Sequence, residues 1–157
     1  MAESVREQAL VQVVAKLATM TGTRPWGGSY PSDPVVEREY KTLETVNRFP
    51  HLIVIEDDGS PFEPFEVGPG GDGHFKHGFN FQVYGYVARS NGQTRSTWLQ
   101  RLWDDVVRTI QKNRSLGGVA SDVIVLPDLV VDGGDSEPVG GFRQGFAAVL
   151  YESMPVE

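Results

Sequence analysis

The residues best suited to chemistry in this 157-residue chain are His74-x-x-His77 with Asp72 close by, a donor set that would hold a divalent metal if a third ligand arrived from elsewhere. A zinc protease carries such a pair on one helix face with a glutamate between the histidines. Here Phe75 and Lys76 stand between them and Gly73 and Gly78 flank them, so that geometry is not expected. The third histidine, His51, opens an apolar run, where a structural role is expected. Asp57-Asp58 would serve as an acid/base pair, and Asp132, Asp135 and Glu137 as ligands for a hard cation. Both groups sit among the glycines that hairpin turns require, and the second lacks the spacing of an EF-hand. Asp104 and Asp105 are neighbours in a helical pattern, so their side chains diverge by about 100°. The run Gly68-Pro-Gly-Gly-Asp-Gly73 lacks the Lys-Ser/Thr of a phosphate loop, and no Gly-x-Ser-x-Gly nucleophile motif is present. With 0 cysteines, thiol catalysis and Cys-ligated metals are excluded. The sequence therefore assigns no catalytic, metal or cofactor residue, and a non-enzyme is expected.

The elements that would position any site are clearer. Ser4-Val5-Arg6-Glu7 is a capping box preceding Leu10, Val13, Val14 and Leu17, which predicts a helix over about 5–20. Residues 23–34 form a Pro/Gly-rich connection carrying Trp26 and Tyr30. Val36, Arg38 and Tyr40 alternate like an edge strand, while Tyr40, Leu43 and Val46 fit a short helix instead; the strand is the reading favoured. Leu52-Ile53-Val54-Ile55 is apolar on both faces and is read as the middle of the sheet. Residues 62–67 predict a short return strand, and 68–73 a flexible tip. Over 79–87, Phe79, Phe81, Val83 and Val87 share one face, and Asn80, Gln82, Tyr84 and Tyr86 the other. Leu99, Leu102, Trp103, Val106, Val107 and Ile110 recur at helical spacing, which predicts a second helix over about 97–112 that buries Leu102, Trp103, Val106 and Ile110 on the sheet. Two late strands, 119–131 and 142–152, follow around an acidic turn. Without βαβ alternation, the expected fold is α+β: one domain over 1–157, an antiparallel-rich mixed sheet covered by two helices.

Net charge is −7, which argues against the basic surface a DNA-binding protein needs. The charge is segregated: residues 1–50 are neutral, 51–73 carry six acids and no base, 74–116 carry seven bases against two acids, and 117–157 carry seven acids against one base. No apolar run approaches the roughly 20 residues of a membrane helix, and the N-terminal residues lack an apolar signal core, so neither a membrane partner nor export is expected. Tyr84 and Tyr86 on the outer strand face, Trp26 and Tyr30 in a loop, and Trp98 beside the helical stripe are read as interface aromatics, with Arg101 and Arg108 as interface cations.

A capped N-terminal helix, Val46-Asn-Arg-Phe-Pro-His-Leu-Ile-Val-Ile-Glu56 leading into a strand, Val83-Tyr-Gly-Tyr-Val87, Leu102-Trp-Asp-Asp-Val-Val107 and Asn113-Arg-Ser-Leu-Gly-Gly118 follow one another in a layout that resembles the tail terminator, or tail completion, proteins of long-tailed bacteriophages. The resemblance spans most of the chain and rests on pattern, since that family has no catalytic signature. It does not map the 23–34 loop or the segment containing His74. It implies a small α/β subunit that forms a ring, commonly hexameric, on the head-proximal end of the virion tail; since multivalency makes weak contacts strong only on a matched tube, the free protein is expected to be monomeric. There the ring contacts the tail tube protein, stops tube growth and presents a surface to a head-completion or neck protein. The host cytoplasm is the expected place of assembly. A head-to-tail ring needs two different complementary patches, which the basic helix and the acidic segments would supply, and an acidic inner wall would let DNA pass without binding it. Two further classes stay open: another neck or head-completion connector, and a small metal-dependent enzyme or ligand-binding module.

Overall fold

A computed structural model describes residues 4–42, 45–57, 64–67, 74–132 and 139–153, with the backbone alone at 64–67, 74–77, 132 and 151–153. Helix α1 spans Val5–Leu17. Ser4 caps it by accepting a hydrogen bond from the Glu7 amide at 3.1 Å, and Ala9, Leu10, Val13 and Leu17 are buried. The helix stops three residues short of the expected end, yet Met20 in the following turn is fully buried. Helix α2 spans Arg95–Lys112, two residues longer at its start than expected because Thr94 caps the Thr97 amide.

The strands are β1 (Val35–Glu37), β2 (His51–Glu56), β3 (Pro64–Val67), β4 (His74–Ala88), β5 (Ala120–Val125), β6 (Val130–Asp132) and β7 (Val139–Ser153). They form one mixed sheet in the order β1-β2-β4-β7-β5, with β3 on β4 and β6 on β7. Among the described residues, only the β1–β2 pair is parallel. The α+β class with two covering helices is therefore what the chain adopts.

Three strand expectations need correction. First, β2 lies beside the edge strand, and the middle of the sheet is the β4–β7 pair, in register from His74↔Ser153 to Ala88↔Val139. Apolarity on both faces reports that both faces are covered, not lateral position: Leu52 and Val54 enter the helix-side core while Ile53 enters a second cluster behind the sheet. Second, the alternation of Val36, Arg38 and Tyr40 ends after three residues of strand, and 38–40 is exposed. Third, the late strands number three, because Pro127-Asp128 interrupts the β7 partner. The interruption is stabilised by Gln144, almost wholly buried, whose amide donates to the Leu126 carbonyl at 2.6 Å and whose oxygen accepts from Trp103 Nε1 at 2.9 Å. Residues 58–63, 68–73 and 133–138, which include the expected flexible tip, Asp58, Asp135 and Glu137, lie outside the described residues.

Both helices pack on the face carrying Phe79, Phe81, Val83, Val87, Phe142 and Phe146. Leu102, Val106 and Ile110 are fully buried there, while Trp103 is half-buried against the same core. The long β4–β7 ladder depends on two close approaches. A Cβ on Gly85 would stand 2.3 Å from the Phe142 ring, and one on Gly141 would stand 2.6 Å from the Tyr86 ring. Each aromatic thus lies across the glycine of its partner strand, one ring on each face of the sheet.

Candidate functional site

The 21–34 connection is fastened to α2 by a buried polar triad. Arg24 donates to both Asp105 oxygens (Nε 2.8 Å, Nη2 2.7 Å), and the Tyr30 hydroxyl donates to Asp105 Oδ2 at 2.8 Å. Asp105 is 2% exposed. The bidentate fork satisfies a carboxylate that would otherwise be stranded in the core. The hydrogen bond to Asp105 raises the Arg24 guanidinium above the ordinary arginine range, and burial, reinforced by the Asp105 charge, pushes the Tyr30 phenol well above its usual value. Folded Tyr30 therefore keeps its proton where the unfolded chain, at about 10.0, releases it. The resulting stabilisation is complete below that pH and lost as the pH rises past it. Unfolding free energies measured by denaturant titration from about pH 8 to about pH 11 should fall at the alkaline end, and the fall should be shallower in Tyr30→Phe.

Above this triad Trp26 meets Tyr30 edge-on at 4.8 Å, and Arg101 lies over both Trp26 (5.5 Å) and Trp98 (5.1 Å). Arg101 also lines a groove of about 360 Å³ together with Trp26, Gln100, Asp104 and Arg108. Arg108 is exposed and paired to Asp104 at 2.7 Å, one turn back on the helix. Trp26, Arg101 and Arg108 are thus brought together at one surface. Tyr30 and Trp98 are not surface aromatics: they are 8% and 4% exposed, and the Trp98 indole donates to the Ser90 carbonyl.

Tyr84 and Tyr86 part company. Tyr86 is 8% exposed, its hydroxyl donates to the Lys41 carbonyl at 3.0 Å, and it packs with Val46 and Ile53 in the second core, so it is structural. Tyr84 is half-buried, edge-on to the exposed Tyr40 at 5.5 Å. Tyr40, Lys41, Val46 and Phe49 lie over this face and cover what the alternation alone presents as solvent-facing.

Beside these tyrosines sits Arg143, which sequence reasoning passed over. It is paired across the ladder with Tyr84, and its Nε is buried without a hydrogen-bond partner. The available signal was its standing as the single base of 117–157. On the same edge Leu129, Val130 and Val131 are 42%, 45% and 58% exposed.

Among the other titratable candidates, His51 is structural. His51 is buried and its Nε2 lies 2.6 Å from Glu37 Oε1, while Lys41, the larger influence, helps hold the Glu37 carboxyl below its ordinary range. The His74 and His77 side chains lie outside the described residues. Their backbone belongs to β4, where positions three apart fall on opposite faces. Among the described residues, no three His, Asp or Glu converge as metal ligands, and no helix is long and apolar enough to cross a membrane.

No protein-family description and no curated protein matches the chain. Among solved structures it is similar to the sheath/tube terminator of PVC, an extracellular contractile injection system, in the extended state. That overlay has a TM-score of 0.48 and 12% identity, and covers 100% of this chain and 62% of the other. The chain thus spans less than two thirds of the length of that structure.

Proposed function

We propose that this chain is a non-catalytic, tail-terminator-type subunit that assembles as a ring, of six copies by the family resemblance, on the end of a tail tube. The observation that carries the reading is the presence of two chemically unlike surfaces on one subunit. One is the charged groove lined by Trp26, Arg101, Asp104 and Arg108; the other is the apolar β5–β6 edge with Ile124, Leu129, Val130 and Val131 exposed. A head-to-tail ring requires two different patches, whereas a two-fold dimer uses one patch twice. The sequence layout described above supports the same assignment. The ring contacts the tail tube protein on one side and a neck or head-completion protein on the other. DNA passes through without specific binding, and the subunit belongs to the head-proximal end of a tail in a virion or tail-like particle. Weak contacts per subunit become strong once the ring matches the tube geometrically, so the free protein is monomeric.

Deleting the gene should give tails of irregular, overgrown length that fail to join heads, measured by electron microscopy, and wild-type protein should restore both. Tails of normal length from the deletion would remove the assignment. Of the tyrosines first read as contacts, only Tyr84 remains a candidate, because replacing Tyr86 would damage the core.

A further inference from the structure

The β6 edge and the pocket around Arg143 are built to hold a partner strand. The pocket, about 200 Å³, has aromatic and aliphatic walls (Tyr40, Tyr84, Tyr86, Val130, Phe142) with a single cation, Arg143, set in them. The Arg143 Nε is buried and lacks a hydrogen-bond partner, and among the described residues no carboxylate pairs with the guanidinium. The nearby Asp128 is engaged instead with the Gly145 amide at 2.9 Å. A half-buried guanidinium set among tyrosine rings, with no carboxylate partner among the described residues, selects a carboxylate that adjoins an apolar side chain. The neighbouring strand adds a second mode of recognition. β6 pairs only with β7 among the described residues, so its outer backbone groups face away from the sheet alongside the exposed Leu129, Val130 and Val131. Such an edge accepts an added strand.

We infer that this surface docks a second copy of the chain through its residues 56–66. This rests on the ring reading above and names the contact that would close the ring. The argument for that occupant is complementarity. Residues 51–73 carry six acids and no base, and within them Glu63 and Phe65 stand two positions apart, a spacing that puts a carboxylate and an aromatic ring on one face of an added strand. The segment runs into β3, which pairs with β4 on the side of the sheet away from β6. A copy's own β3 cannot reach its own pocket: β3 sits at 75–77 of β4, whereas Arg143 sits opposite Tyr84, about 25 Å further along the strand and across two strands. Pairing β3 of one copy with β6 of the next uses different surfaces on each, so the contact propagates head to tail.

The test uses the full chain and a fluorescently labelled synthetic peptide of residues 56–67, with binding read by anisotropy. The peptide should bind wild type in a salt-sensitive manner and bind at least about tenfold more weakly to Arg143→Met and to Val131→Lys. A peptide with its acids changed to Asn and Gln should lose affinity to a similar degree. No binding to wild type, or equal binding by wild type and both variants, would overturn the inference. If Arg143→Met fails to fold by circular dichroism, the exposed Val131→Lys carries the comparison. Ring formation on tube ends, followed separately by electron microscopy of tails assembled with each variant, distinguishes the two readings. Rings that persist in both variants overturn this contact and leave the terminator assignment standing. Peptide binding with the expected losses, in a protein whose deletion leaves tails normal, upholds the contact and removes the assignment.

Discussion

Replacing Asp105 with alanine should lower the unfolding free energy by roughly 3–5 kcal/mol, measured by urea titration, because it strands two partners at once. Arg24 would keep a charge in a site where its side chain is 13% exposed, and the Tyr30 hydroxyl would lose its acceptor inside the core. Asp105→Asn is the informative comparison. It preserves shape and one acceptor oxygen but removes the charge that matches Arg24, and should recover part of the loss. The triple change Arg24→Met, Asp105→Leu, Tyr30→Phe should be far milder than Asp105→Ala alone, since a buried ion pair contributes little relative to apolar packing while half of one is costly. A loss under about 1 kcal/mol for Asp105→Ala would show that the 21–34 connection is not held by this triad. That outcome would bear on function, because Trp26 stands over the triad and helps to fix Arg101.

Where local chemistry decides structure, the sequence is legible. Ser4 before Glu7, the 3.6-residue stripe from Leu99 to Ile110, and the alternation from Phe79 to Val87 each correspond to an element in the folded chain, because a cap or a period is a property of a few adjacent residues. What is not legible depends on which distant segment lies on top. The outward positions Tyr84 and Tyr86 follow the strand period correctly, but their burial is set by Tyr40, Lys41, Val46 and Phe49, which lie over that face. Tyr30 and Trp98 look like loop and helix-margin aromatics until Arg24 and Asp105, 81 positions apart, pull the loop down. Asp105 was weighed only against its neighbour Asp104, and no local pattern points from it to Arg24. Strand β4 begins five residues before the alternation read in the sequence, because His77 interrupts the apolar series of odd positions between Phe75 and Phe79 while pairing with β7 continues.

The same ladder sets the second large effect. Phe146 of β7 is fully buried and stacks on Phe81, its register partner on β4, at 5.3 Å with the planes 15° apart; Phe81 in turn touches Phe79 at 6.1 Å. Phe146→Ala should therefore destabilise the protein by roughly 3–5 kcal/mol, the sum of lost transfer free energy and a cavity that the paired backbone cannot close. The rigidity matters here: β4 and β7 are held in register on both sides of the site, so relaxation by strand movement is restricted. Phe81→Ala should cost a similar amount for the same reason. The double variant should fall short of the sum of the two by about 0.5–1.5 kcal/mol, because the stacked pair is lost only once. Strict additivity in that cycle would mean the rings contribute only as separate buried surfaces. A loss below about 1.5 kcal/mol for Phe146→Ala would mean that the helices settle into the gap and that the sheet face is softer than its continuous pairing implies.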